Sequence, residues 1–146
     1  MNAFSREYQH KFIQVAGKLK NGLPLAGGEE YLIAEIMSEH PEFIPIWDLG
    51  DLSASPQEVN GEIVNPFVHT ALHLAMERQI QIGDPPEVIK IFHELVKKGK
   101  ERHLTIHQIG GVYASLHFSS LRKGEMFEEF SYIEIVREMT REELEK

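Results

Sequence analysis

The chain has 146 residues, 42% of them hydrophobic and 26% charged, with a net charge of −8 and no cysteine. Such a composition suits one globular domain with a sizeable core and is too apolar for disorder. It excludes disulfide scaffolds, cysteine-based zinc sites and iron–sulfur clusters, so any metal would be held by His, Asp or Glu.

No apolar run approaches the roughly 18 residues of a membrane span. The opening Met1-Asn2-Ala3-Phe4-Ser5-Arg6 lacks the basic-then-apolar order of a signal peptide. The expectation is a cytoplasmic protein with no membrane partner. Nucleic acid is not expected either, because phosphate binding needs a clustered basic surface. The nearest candidates, Lys97-Lys98 with Lys100 and Arg102, and Arg122-Lys123, fall near expected helix ends, where cations offset the dipole.

Helical periodicity appears in six places, and no stretch alternates as a strand would. The first segment, from about Ser5 to Lys20, places Phe4, Tyr8, Phe12, Val15 and Leu19 on one stripe. Gly22 caps it and Pro24 bars continuation. The second follows Gly27-Gly28, turns Tyr31, Leu32, Ile36 and Met37 inward, and stops before His40-Pro41 because a residue preceding proline disfavours helix. From Pro41 to Val64 periodicity fails, and a long irregular segment is expected, pinned by Trp47.

Asn65-Pro66 then starts a third helix, with Asn as cap and Pro at the first helical position. It should reach Ile82, ahead of Gly83-Asp84-Pro85. A fourth helix runs from Pro86 to Gly99 and a fifth from about Arg102 to Arg122. The last spans roughly Met126 to Glu145, with Phe130, Ile133, Val136 and Met139 inward. The fold expected is therefore all-α: a single domain over 1–146, a bundle of about five to six helices with one long irregular segment between helices two and three.

Two constellations carry chemistry. His69 and His73 are four residues apart, about 40° around a helix, so both imidazoles can reach one metal ion. Glu77 continues that face and could add an oxygen ligand or orient a histidine. The fifth helix repeats the spacing with His103 and His107. Two facing pairs would make a site for Zn, Ni or Fe inside a bundle. The competing reading has these rings hydrogen-bonding to one another and to Glu77. Thr70 stands where a zincin needs Glu. Nucleophile elbow, phosphate loop, and nucleotide and flavin fingerprints are all missing. Gly110-Gly111, inside the fifth helix, costs roughly 2 kcal/mol against alanine and points to close packing or to room for a ligand.

The run Asn65-Pro66-Phe67-Val68-His69, then His73-Leu74-Ala75 and Glu77-x-Gln79, resembles the Asn-Pro-Phe-Leu-His-x-x-x-His-Leu-Ala signature of a small bacterial family, domain-of-unknown-function family eighteen-forty-one. Glu29-Glu30 and His40-Pro41-Glu42 look like that family's first half, and His103-x-x-x-His107 is similar to its second histidine pair. The likeness extends from about Phe12 to Arg137. It implies a fold and the location of a site, and assigns no activity. One departure is that relatives resembling this chain carry Glu where Gly111 stands. The functional expectation is a divalent-metal-binding helical protein using His69, His73, His103, His107 and Glu77. The alternative is a non-enzymatic interaction or regulatory domain with structural histidines, whose partner surface is the 41–64 segment and the acidic last helix. The expected partner is a small molecule or a protein, including another copy of the chain.

Overall fold

In the computed structural model, which describes residues 2–146, each of the six periodic segments is a helix. In chain order they are α1 (Arg6–Asn21), α2 (Gly27–Ser38), α4 (Pro66–Ile82), α5 (Pro86–Lys97), α6 (Arg102–Lys123) and α7 (Glu129–Glu145). A short α3 (Ile44–Trp47) makes seven among the described residues, one more than the upper expectation. The chain falls into two compact units that meet within α4, one ending at Leu74 and the other running from Ala75 to Lys146.

In the first unit, Ser5 caps α1 by accepting from the Tyr8 amide, and Gly22 closes it in the left-handed conformation at φ 65°. Tyr8 Oη donates to Glu29 Oε2 at 2.9 Å, Lys11 pairs with the same carboxylate, and Lys18 Nζ meets Glu30 Oε1 at 2.8 Å. These contacts tie α1 to the start of α2. Phe12 is fully buried at the centre, with ring centroids 6.1 Å from Tyr8, 6.4 Å from Trp47 and 5.5 Å from Phe67. Burial of a side chain like Phe12 contributes about 1.5–3 kcal/mol. Leu19 and Tyr31, expected inside, are instead 47% and 61% exposed.

The 41–64 segment is not irregular. It contains 3-10 turns at Pro41–Phe43 and Gly50–Ala54, the short α3, and an antiparallel hairpin of β1 (Gln57–Val59) and β2 (Glu62–Val64). Asn60 and Gly61 both take positive φ, 51° and 86°. That pair is what a tight two-residue hairpin turn demands, because its backbone twist then matches the strands. Trp47 is 5% exposed and anchors the segment, as its size led us to expect. Asn65 performs two tasks: its Oδ1 accepts from the Val68 amide at 3.1 Å as the cap of α4, and its Nδ2 donates to Ala54 O at 2.7 Å.

In the second unit α5, α6 and α7 each pack against the other two. Their core is Val88, Ile89, Phe92, Leu95, Ile106, Ile109, Tyr132, Ile133 and Val136. The Tyr132 hydroxyl donates to Gln79 Oε1 at 2.6 Å, and burial pushes its pKa well up. Phe130 and Met139, expected inward, are 69% and 36% exposed. The buried stripe of α7 is Tyr132, Ile133, Val136 and Thr140, a register in which Tyr132 satisfies its hydroxyl at Gln79. Lys100 and Gln108 both hold Glu143, at 2.7 and 2.8 Å, joining the start of α6 to the end of α7. No helix among the described residues is long and apolar enough to cross a membrane.

Candidate metal centre

The Asn65 cap and Pro66 set the phase of α4, and with it the face that carries His69 and His73. The two rings lie 5.0 Å apart between centroids, with His73 1% exposed and His69 partly exposed. A third imidazole joins them from a different element. His40 stands between α2 and the Pro41–Phe43 turn, held out of helix by the following proline at φ −130° and ψ 65°. Its Nε2 lies 3.0 Å from His69 Nε2 and 3.3 Å from His73 Nε2.

The orientation of His40 is determined from both sides. Its Nδ1 meets Glu42 Oε1 at 2.8 Å, and Phe43 stacks on its face at 5.1 Å with the planes 14° apart. Phe43 also stands edge-on to His69, at 5.6 Å and 80°. Glu42 is ionised in the ordinary pH range. Burial pushes its carboxyl up, but its own backbone amide, the His40 hydrogen bond and the charges of His40 and His69 outweigh that and hold it below the usual value.

A carboxylate can only accept, so His40 Nδ1–H donates to it, and in the neutral ring Nε2 then presents its lone pair to the other two rings. One lone pair cannot receive two well-aligned N–H donors. His40 Nε2 also stands from each of the other two at about the spacing a metal imposes: bonds of about 2.0–2.1 Å in a tetrahedral shell put neighbouring donor nitrogens about 3.3 Å apart.

In the second unit, His103 and His107 face one another on α6 with centroids 4.2 Å apart. Glu77 lies beyond the histidines on α4, and both its oxygens are held by Arg102, each at 2.6 Å. A bidentate ion pair of this kind leaves the carboxylate little freedom to ligate anything else. Gly111 is exposed, and a Cβ built on it meets nothing within 4 Å, so it serves no close approach, whereas Gly110 is buried. His117 has its pKa lowered by burial.

His69 and His73 sit together with His40, His103 sits with His107, and Glu77 sits with Arg102. Sequence reasoning missed His40 as a donor. The available signal was the run His40-Pro41-Glu42, in which proline breaks the helix and a carboxylate sits two residues beyond an imidazole.

The family model for Domain of unknown function (DUF1841) matches residues 5–138. The chain belongs to this family. No curated protein and no solved structure matches it. The span matched to the DUF1841 family contains His40, His69, His73, His103 and His107, together with Glu42 and Phe43.

Proposed function

We propose that this chain binds a divalent transition-metal ion with His40 and His73 at the heart of the site. The observation that carries the reading is the approach of His40 Nε2 to both His69 Nε2 and His73 Nε2, at 3.0 and 3.3 Å. Imidazole donors suit Zn, Ni or Fe, and a set without thiolates disfavours soft monovalent ions. His103 and His107, adjacent on α6, are two further imidazole candidates. His69 is a fifth candidate through its bond to His40. In this proposal Glu77 braces Arg102 and is not a ligand, the bidentate pair being the support for that assignment.

A zinc shell needs four donors, whereas Ni or Fe accepts more, so the number of histidines that matter also reports on the metal. A site with three imidazoles and one open position would bind and acidify water, which makes metal-assisted hydrolysis the reaction class to examine first.

Metal analysis of the purified chain, followed by titration of the stripped protein with Zn, Ni and Co(II), tests the proposal. Roughly one equivalent should bind at micromolar concentration or below. His40→Ala and His73→Ala should each abolish it. His69→Ala tests whether the third imidazole of the cluster belongs to the shell, and a His103→Ala/His107→Ala double variant tests separately whether the α6 pair takes up metal. Failure of the wild-type chain to take up any of the three metals would leave the histidines as a hydrogen-bonded cluster and end the reading.

A further inference from the structure

We infer that Glu42 is a positioning residue for the metal: it selects the His40 tautomer that exposes Nε2 and raises the donor strength of that nitrogen. The inference rests on the metal-binding reading and goes beyond it, because it concerns a residue that would never touch the ion.

The tripeptide after His40 shapes its surroundings. Pro41 ends the helical path and opens the 3-10 turn Pro41–Phe43, which places the next two side chains back against the histidine that precedes them. Glu42 Oε1 lies 2.8 Å from His40 Nδ1, and Phe43, 4% exposed, covers the ring face. One contact determines which nitrogen is protonated and the other determines the plane of the ring. Four consecutive residues thus form a self-contained unit that presents one imidazole lone pair in one direction.

A neutral imidazole left to itself divides between two tautomers, and only the Nδ1–H form offers Nε2 to a metal. A carboxylate on Nδ1–H favours that form and adds negative charge next to a cation. Histidine ligands to metals are commonly backed in this way, and loss of the backing group typically costs about 10- to 100-fold in metal affinity. Glu42 is the residue placed to do this here. Its side chain is 31% exposed and that of His40 12%, so the pair is partly shielded from water and the charge is felt.

Two substitutions separate the parts of the effect. Glu42→Gln keeps an oxygen that can accept from Nδ1–H but removes the charge. Glu42→Ala removes both. Wild type and both variants would be titrated with Zn and with Co(II), and the visible Co(II) bands recorded. The one-bond coupling and shift of the His40 Nδ1–H would be followed by NMR in the metal-free chains.

The expected order of affinity is wild type, then Gln, then Ala, with Ala weaker than wild type by about 10- to 100-fold. The Co(II) bands should shift in both variants, and the His40 Nδ1–H signal should be lost in Ala. Metal-free melting temperature and circular dichroism establish that each variant folds, and Glu42→Asp serves as a second variant if Ala does not. Equal metal affinity and identical Co(II) spectra in all folded variants would overturn the inference while leaving metal binding intact. No binding by wild type would instead remove the reading beneath it.

Discussion

The Nε2 atoms of His40 and His73 lie 3.3 Å apart across 33 residues of sequence, and His40 Nε2 lies closer still to His69 Nε2, at 3.0 Å. A loop residue, His40, thus joins the α4 pair. If metal occupies this cluster, then at a hundredfold excess over its dissociation constant it should stabilise the fold by about 2.7 kcal/mol. For a chain of this size that is a rise in melting temperature of roughly 5–10 °C. Melting curves with and without Zn should show that rise in wild type and none in His73→Ala. A rise of equal size in His73→Ala would assign the stabilising metal to some other residues.

Asn65 links the hairpin-bearing segment to the helix that carries His69 and His73. Asn65→Ala removes both the cap to Val68 and the bond to Ala54 O. Loss of the cap alone costs about 1 kcal/mol. We expect a fall of several degrees in melting temperature together with faster amide exchange in residues 50–56. Exchange that rises only at the start of α4 would show that the Ala54 bond contributes nothing.

Trp47 is the only tryptophan and reports directly on the first unit. Its burial against Phe12 predicts blue-shifted emission that moves red on unfolding. Trp47→Ala should cost about 3–5 kcal/mol, and Trp47→Phe clearly less, because most of the ring volume remains. Chemical denaturation of the two variants checks the difference, and similar losses in both would place the indole outside the core.

Glu143 provides the acid sensitivity of the second unit. Hydrogen bonds from Lys100 and then Gln108 hold its carboxyl below the usual value. A carboxyl lowered in the folded state contributes stability that is complete above the ordinary carboxylate range and disappears as pH falls through the lowered folded value. The pair is partly exposed, so the contribution should be below about 1 kcal/mol. Melting temperature measured from pH 7 down to pH 3 should fall less steeply in Glu143→Gln than in wild type. Parallel curves would mean that Lys100 and Glu143 do not interact in solution.

Helix positions were legible in the sequence because their end signals are chemical: Asn65-Pro66 before α4, Gly83-Asp84-Pro85 after it, and Gly22 after α1. The centre was half legible. Residues four apart on one helix are visible as a pair, so His69 with His73 and His103 with His107 could be named. His40 belongs to no helix and reaches the pair only through the fold, so no periodicity points to it. Glu77 shows another limit: its place on the wheel is legible, but the sequence does not show that Arg102, 25 residues on, holds both its oxygens. The hairpin was missed although its turn was in plain sight. Asn60-Gly61 is a strong local signal, but three-residue strands are too short to show alternation.

The two glycines of the α6 pair differ in burial. Two glycines in a helix suggest a close neighbour, and Gly110, which is buried, is consistent with that. Gly111 is not: it is exposed, sits in the middle of a 22-residue helix, and has open space where a Cβ would go. Nothing in the fold needs glycine there, while its backbone freedom in the unfolded chain is lost on folding. Gly111→Ala should therefore raise stability by about 0.5–1 kcal/mol, or roughly 2–4 °C in melting temperature. Gly111→Glu, which installs the residue expected at this position by resemblance, should be tolerated without loss of stability, since a helix-favouring side chain can extend into solvent. Thermal melts of the two variants against wild type decide the matter. A destabilised Gly111→Ala would show that α6 packs against something at this face, and the open space above Gly111 would then not describe the protein in solution.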